Sequence, residues 1–150
     1  MTSELSVRAV HLGGMRVLAE SGDHQVLTDY PLTAGDAVEG LTSLELLLAS
    51  LATCSANSLL ALLKRAIGHH VTGLEVHARG LRRSEHPTVL TEISLEIAVK
   101  GKVDPEAVAK SITASEERFC PVWNMLKGTT PITASLRIVH DECGASCCEL

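Results

Sequence analysis

Cys54 and Cys120 are the residues of this chain whose type and setting point most directly to chemistry. Cys54 lies inside an uncharged apolar run, Leu46 to Leu63. Cys120 stands directly before a proline, in Cys120-Pro121-Val122, and a proline in that position can open a helix. A thiol within an apolar helix and a second at a helix start suit a redox pair, which oxidises and closes to a disulfide. An ordinary free thiol is only about 3% ionised at neutral pH. A reactive one therefore needs a cation or a set of hydrogen-bond donors. If Pro121 is the first helical residue, Cys120 occupies the cap, where unpaired N–H groups favour a thiolate. Cys54 sits too far along its own helix for that help. The bland alternative is a pair of small hydrophobes in a core.

Three further cysteines, Cys143, Cys147 and Cys148, crowd the end of the sequence beside His140-Asp141-Glu142. Sulfur donors suit zinc or copper(I), but Cys-x-x-x-Cys-Cys lacks the paired spacing of a zinc knuckle. The expectation is a tail, residues 141–150, whose thiols are incidental; Cys147-Cys148 is alternatively a relay by thiol–disulfide exchange. His69-His70 and His77 form no recognisable ligand set, so neither a metal nor an organic cofactor is expected.

The elements that position these thiols follow from patterning. Ser6 to Leu12, Met15 to Glu20 and Gln25 to Tyr30 read as strands, separated by the turn signals Gly13-Gly14 and Ser21-Gly22-Asp23. Pro31 to Gly40 reads as a loop. A long helix is expected from Ser43 to about Ile67, opened by Thr42 and Glu45 as a capping box and stopped by Gly68. Leu74 to Leu81 and Glu92 to Lys100 alternate as strands around a break at His86-Pro87. Asp104-Pro105 opens a helix to about Arg118 that buries Val108 and Ile112. A short helix from Pro121 to Lys127 and a strand from Pro131 to His140 complete residues 1–140 as one α+β domain.

Composition narrows the partners. The chain has 150 residues and a net charge of −5. That length suffices to bury roughly 70% of the surface of the unfolded chain. Tyr30, Phe119 and Trp123 are its only aromatic residues, which leaves no platform for stacking bases and makes nucleic acid a poor partner. Met1 to Val10 lacks the apolar core of a signal peptide, so a cytoplasmic protein with reduced thiols is expected. Leu46 to Leu63 approaches the length of a membrane span. Its Ser50, Thr53, Ser55, Asn57 and Ser58, and the sheet-forming remainder, argue instead for a helix buried in protein. Burial on all sides calls for a second subunit.

Four segments together resemble the OsmC/Ohr family of thiol peroxidases. They are Gly22-Asp23-His24-Gln25 leading into a strand, the helix from Ser43 through Thr53-Cys54-Ser55-Ala56, the stretch Glu116-Glu117-Arg118-Phe119-Cys120-Pro121-Val122, and the closing strand after Thr129. The resemblance spans roughly residues 5–140. It implies antiparallel sheets packed around a long central buried helix, in an intertwined homodimer with two active sites at its interface. It implies reduction of organic hydroperoxides by Cys54, resolution of the sulfenic acid by Cys120, and an external dithiol as reductant. Leu47, Leu51 and Leu62, on or flanking the Cys54 side of the helix, suit a hydrophobic peroxide. The two sulfurs are then expected within roughly 8 Å, near bridging distance, and neither sealed from an interface cleft.

The resemblance also implies a glutamate that holds an arginine near the reactive sulfur. Glu45 is the candidate, although Leu44 occupies the matching position of the best-known branches. Nine residues of straight helix place Glu45 about 13 Å from Cys54 along the axis and on the opposite face, so it would act on the partner's site or serve only as a cap. Arg16, after Gly13-Gly14-Met15, is the nearest match to the arginine, with Arg8 as the alternative. A less studied branch has a histidine turn like Gly22-Asp23-His24-Gln25, which makes His24 a candidate donor. Two other readings stand beside the peroxidase: a binding protein for a small hydrophobic ligand without turnover, and a redox or metal sensor built on the terminal cysteines.

Overall fold

The first turns are made by glycines in backbone conformations that other residues rarely adopt. Gly13 and Gly14, with φ of 108° and 61°, carry β1 (Arg8–Gly13) into β2 (Arg16–Ser21). Gly22, at φ 58°, opens the two-residue loop to β3 (His24–Thr28), the place where a tight hairpin asks for glycine. The computed structural model describes residues 2–66 and 71–139. It divides into two compact units, Met1–Leu47 and Leu48–Leu150.

In the first unit β1, β2 and β3 form an antiparallel meander in that order. Asp29 ties down the loop that follows: its carboxylate accepts from the N–H of Tyr30 at 2.8 Å and of Glu39 at 3.1 Å. The Asp29 N–H in turn donates to Leu41 O at 3.1 Å. Helix α1 (Ser43–Ala66) starts here, and its opening is the expected capping box. Glu45 Oε2 accepts from Thr42 N at 2.7 Å and from Thr42 Oγ1 at 2.8 Å, while Glu45 N donates to Thr42 Oγ1 at 3.3 Å.

The second unit holds the rest of α1 and a sheet in the order β4-β5-β6, from β4 (Val71–Arg82), β5 (Leu90–Gly101) and β6 (Ile132–Val139). β4 and β5 pair as the expected hairpin, but β5 and β6 run parallel. The expectation of wholly antiparallel sheets is corrected on this point. A parallel neighbour needs a crossover, and the chain between β5 and β6 supplies it as helices α2 (Pro105–Ala114) and α3 (Pro121–Leu126). Asp104 caps α2 by accepting from the N–H of Glu106 and Ala107. Alternation on β5 is as read: Ile93, Leu95, Ile97 and Val99 are buried, and Glu92, Glu96 and Lys100 are exposed.

Leu51, Ser55, Leu59 and Leu63 recur every fourth residue of α1 and form its buried stripe. Each buried leucine contributes about 1.5–3 kcal/mol of transfer free energy. Other faces are not covered by this chain: Leu60 is 45% exposed. By length and composition Ser43–Arg65 would cross a membrane, with a mean hydropathy of 1.9, a test that the core helix of a soluble protein also passes. Only 22% of that window is buried, so the helix expected to be buried all round is buried within one chain along a single stripe. The expected stop at Gly68, the pair His69-His70 and the tail from His140 onward lie outside the described residues.

Candidate active site

Cys54 reaches the site from the middle of α1, one residue before the buried Ser55. Cys120 arrives by a less regular route. The helix expected to run to Arg118 ends as α2 at Ala114, and residues Ser115–Phe119 form a wider π turn closed by Cys120 N donating to Ser115 O at 2.9 Å. Such turns are uncommon and cluster at functional sites. Pro121 explains the exit: the residue before a proline is driven out of the helical region, and Cys120 has φ −93° and ψ 101°. Asn124 clamps the turn to α3, its amide donating to Glu116 O at 3.2 Å and to Cys120 O at 2.9 Å. The Glu116 side chain within this turn is half-buried; burial, then the neighbouring Glu117 charge, push its carboxyl above the ordinary range.

The two routes bring the sulfurs to 3.1 Å, with Cys120 Sγ donating to Cys54 Sγ. Both cysteines are free. The contact is well inside the expected separation and longer than the roughly 2.05 Å of a formed bond. The expectation that neither thiol is sealed is corrected for one of them. Cys120 is 0% exposed, whereas Cys54 is half-buried.

Around the pair lie donors that sequence reasoning did not single out. Cys120 Sγ, in the cap of α3, accepts from the backbone N–H of Trp123 at 3.4 Å. Ser55 Oγ lies 3.6 Å from the same sulfur. The backbone N–H of Val122 and the hydroxyl of Ser58 lie near Cys54 and lower its pKa. The Ser58 hydroxyl donates its proton to Phe119 O at 3.1 Å, which fastens α1 to the segment that carries Cys120. Each sulfur thus faces one N–H from the first turn of α3 and one serine hydroxyl from α1. The signal was present in the spacing: Ser58 is one helical turn beyond Cys54, and Val122 and Trp123 are the second and third residues after the cap.

Electrostatics within this unit leave Cys54 a reluctant acid. Burial pushes its thiol above the ordinary value of 9.0; the Val122 N–H pulls it down, the adjacent Cys120 pushes it up, and Ser58 pulls it down. None of these groups is a cation.

The remaining sequence-derived candidates belong to the first unit. Arg16 Nη1 donates to Glu39 Oε2 at 3.1 Å, an exposed pair. His24 opens β3 and is exposed. The Glu45 carboxylate is engaged by the cap, and its hydrogen bonds from the Thr42 backbone and side chain hold its pKa below the usual carboxylate value. Arg8, the alternative cation, pairs with Glu20 at 2.7 Å. His77 lines a cavity of about 210 Å³ with Glu75, Glu96, Ser135 and Arg137, on the face of the second sheet that alternates with its buried residues. Among the described residues no group of three or more His, Cys, Asp or Glu is placed to hold a metal ion.

Comparison with known proteins bears on the family and the fold. The family model described as OsmC-like protein matches residues 34–135, which include both cysteines. Protein YhfA of Escherichia coli (strain K12) is 31% identical over 137 residues, covering 90% of this chain and 98% of that protein. An OsmC-like protein from Mycoplasma pneumoniae has the same fold, with a TM-score of 0.81 and 23% identity over 93% of this chain and 100% of that one. The organic hydroperoxide resistance protein OhrB of Bacillus subtilis also shares the fold, with a TM-score of 0.64 and 20% identity over 90% of this chain and 98% of that one. With the family match spanning most of the chain and a relative at 31% identity along nearly its whole length, this protein belongs to the OsmC family.

Proposed function

We propose that this protein is a cytoplasmic thiol-dependent peroxidase that reduces organic hydroperoxides through Cys54 and Cys120. One observation carries the reading: two free sulfurs 3.1 Å apart, of which only Cys54 has an exposed surface. The Cys54 thiolate attacks the terminal peroxide oxygen, the O–O bond breaks, and an alcohol leaves after protonation. Cys54 becomes a sulfenic acid. The Cys120 sulfur attacks it, water leaves, and a disulfide joins the pair. An external dithiol then takes up the disulfide by exchange and is itself oxidised. No metal or organic cofactor enters this sequence.

The OsmC family includes hydroperoxide resistance proteins of the same fold, which supports this chemistry over other uses of a thiol pair. Of the apolar residues expected beside the thiol, Leu51 is sealed in the core. Phe119, next to Cys120, is 53% exposed and gives a hydrophobic peroxide an apolar neighbour. The reading includes a homodimer, because the uncovered faces of α1 need a protein partner, and a second copy supplies an identical helix. It also assigns Arg16 or His24, from either subunit, to supply positive charge at Cys54. Glu45 serves as a cap and, at most, as the partner of that arginine.

A second reading is favoured by the raised Cys54 pKa: a binding protein for a small hydrophobic ligand whose thiols do not turn over. The two separate in one assay. Cumene hydroperoxide should drive steady consumption of a dithiol by the native protein and none by Cys54→Ser. Equal, background rates for both proteins would leave the binding reading.

A further inference from the structure

Ser58 stands where three parts of the site meet. It is four residues beyond Cys54 on α1, so its side chain lies on the same helical face. Its hydroxyl donates to Phe119 O at 3.1 Å, the carbonyl of the residue before Cys120. Serine and threonine hydroxyls in helices can turn back to their own backbone, as Thr53 does by donating to Ala49 O at 2.8 Å. Ser58 instead reaches across to a second element. A hydroxyl has one proton to give and rotates freely about its C–O bond. The proton that now serves Phe119 O is therefore available to the Cys54 sulfur, which the same hydroxyl already faces.

We propose that Ser58 is a positioning residue for the Cys54 thiolate, exchanging its hydrogen bond to Phe119 O for one to sulfur when Cys54 loses its proton to solvent. The purpose of the exchange rests on the peroxidase reading, but the exchange itself does not. With the thiol protonated, the hydroxyl holds α1 against the segment bearing Cys120, and the sulfur accepts from the Cys120 S–H. Once the sulfur is an anion, it is a stronger acceptor than a carbonyl, because hydrogen bonds to ionised acceptors are roughly twice as strong as neutral ones. The anion then has the Val122 N–H, the Ser58 hydroxyl and the Cys120 thiol around it, with Cys120 the titratable group that faces it. Phe119 O, released on a half-exposed residue, is free to take water in exchange. Two of these neutral donors, the Val122 N–H and the Ser58 hydroxyl, pull the Cys54 pKa down within this unit, against the burial and the Cys120 thiol that push it up. Ser55 has the parallel position at Cys120, but Ser55 and Cys120 are both buried, so its hydroxyl stays with that sulfur.

The test reads the thiol directly and needs no peroxide. In the full chain with Cys143, Cys147 and Cys148 changed to serine, the rate of Cys54 carboxamidomethylation by iodoacetamide is followed against pH, with the modified residue identified by peptide mass. Ser58→Ala should move the midpoint upward and slow the reaction about three- to tenfold below it, about half to one pH unit. Above the midpoint, where the thiol ionises unaided, the rates should converge. Ser58→Thr, which keeps a hydroxyl, should restore the native midpoint. An unmoved midpoint in Ser58→Ala overturns the proposal. So does an equal slowing at every pH, which marks a merely structural loss. Peroxide turnover, measured separately, bears on the peroxidase reading alone: a moved midpoint without turnover would leave Ser58 in its role and remove the reaction it was thought to serve.

Discussion

Cys120 holds its sulfur 3.1 Å from that of Cys54, yet Cys120 is fully covered and Cys54 is not. The two thiols share a site but not a route of access. On the proposed reaction a peroxide reaches Cys54 first, and Cys120 meets only what Cys54 has become. On that reading their order of action follows from burial, independently of which sulfur is the stronger acid. Replacing each in turn should give different failures. Cys54→Ser should abolish peroxide consumption. Cys120→Ser should still consume one equivalent and then stop as a sulfenic acid, which dimedone captures as a mass adduct on Cys54. A Cys120→Ser protein that never forms the adduct would reverse the assignment.

Acidity makes a second prediction. The native state holds the Cys54 proton above the ordinary thiol value, while the unfolded chain releases it near 9.0. Above that pH the unfolded state therefore binds fewer protons, so stability falls as pH rises. The denaturation midpoint in urea should drop between pH 8.5 and pH 10.5, and the drop should be smaller in Cys54→Ser, which has no thiol to titrate. Identical pH slopes for the two proteins would show that Cys54 is not perturbed by folding.

The cap of α1 gives the opposite sign. Hydrogen bonds from Thr42 depress the Glu45 carboxyl below its ordinary value of 4.5. Its contribution is present above that value and is lost as pH falls through the lower native one. At pH 7, Thr42→Ala should cost about 1 kcal/mol of stability, measured by chemical denaturation. Glu45→Gln keeps an acceptor for the Thr42 N–H and should cost less. If Glu45→Gln leaves stability nearly intact but removes peroxide turnover, Glu45 has a role beyond the cap.

Helix α1 has one buried stripe and an uncovered face. Leu59, 1% exposed, is closed in by its own chain, and Leu59→Ala should cost about 2–5 kcal/mol. Leu60, 45% exposed on the same helix, belongs to an uncovered face. In a homodimer built on that face, melting temperature rises with protein concentration, and Leu60→Asp should steepen or abolish that dependence. A native protein whose melting temperature ignores concentration over two decades would remove the dimer.

The fold was legible because its signals are local. Glycine turns, the alternation of Ile93, Leu95, Ile97 and Val99, and the caps at Thr42, Asp104 and Cys120 each act within a few residues, and the structure has all of them. The parallel pairing of β5 and β6 was not legible, because it depends on where a crossover returns the chain. The π turn was hidden for a related reason. Glu116-Glu117-Arg118 reads as ordinary helix, and only the demand that Cys120 leave before Pro121 and still face α1 selects the wider turn. The cysteines were found by type and setting. Their closeness and their unequal burial, like the donors Ser55, Ser58, Val122 and Trp123, arise from two segments far apart in sequence.

Adding one equivalent of cumene hydroperoxide to the fully reduced protein, with Cys143, Cys147 and Cys148 changed to serine, tests the pair most directly. The intact mass should fall by two hydrogens, and peptide mapping without reductant should join Cys54 to Cys120. The single tryptophan, Trp123, whose backbone N–H bonds the Cys120 sulfur, should change its fluorescence in step with that bond and recover when a dithiol is added. A protein that keeps both free thiols and an unchanged mass after that exposure would contradict the account.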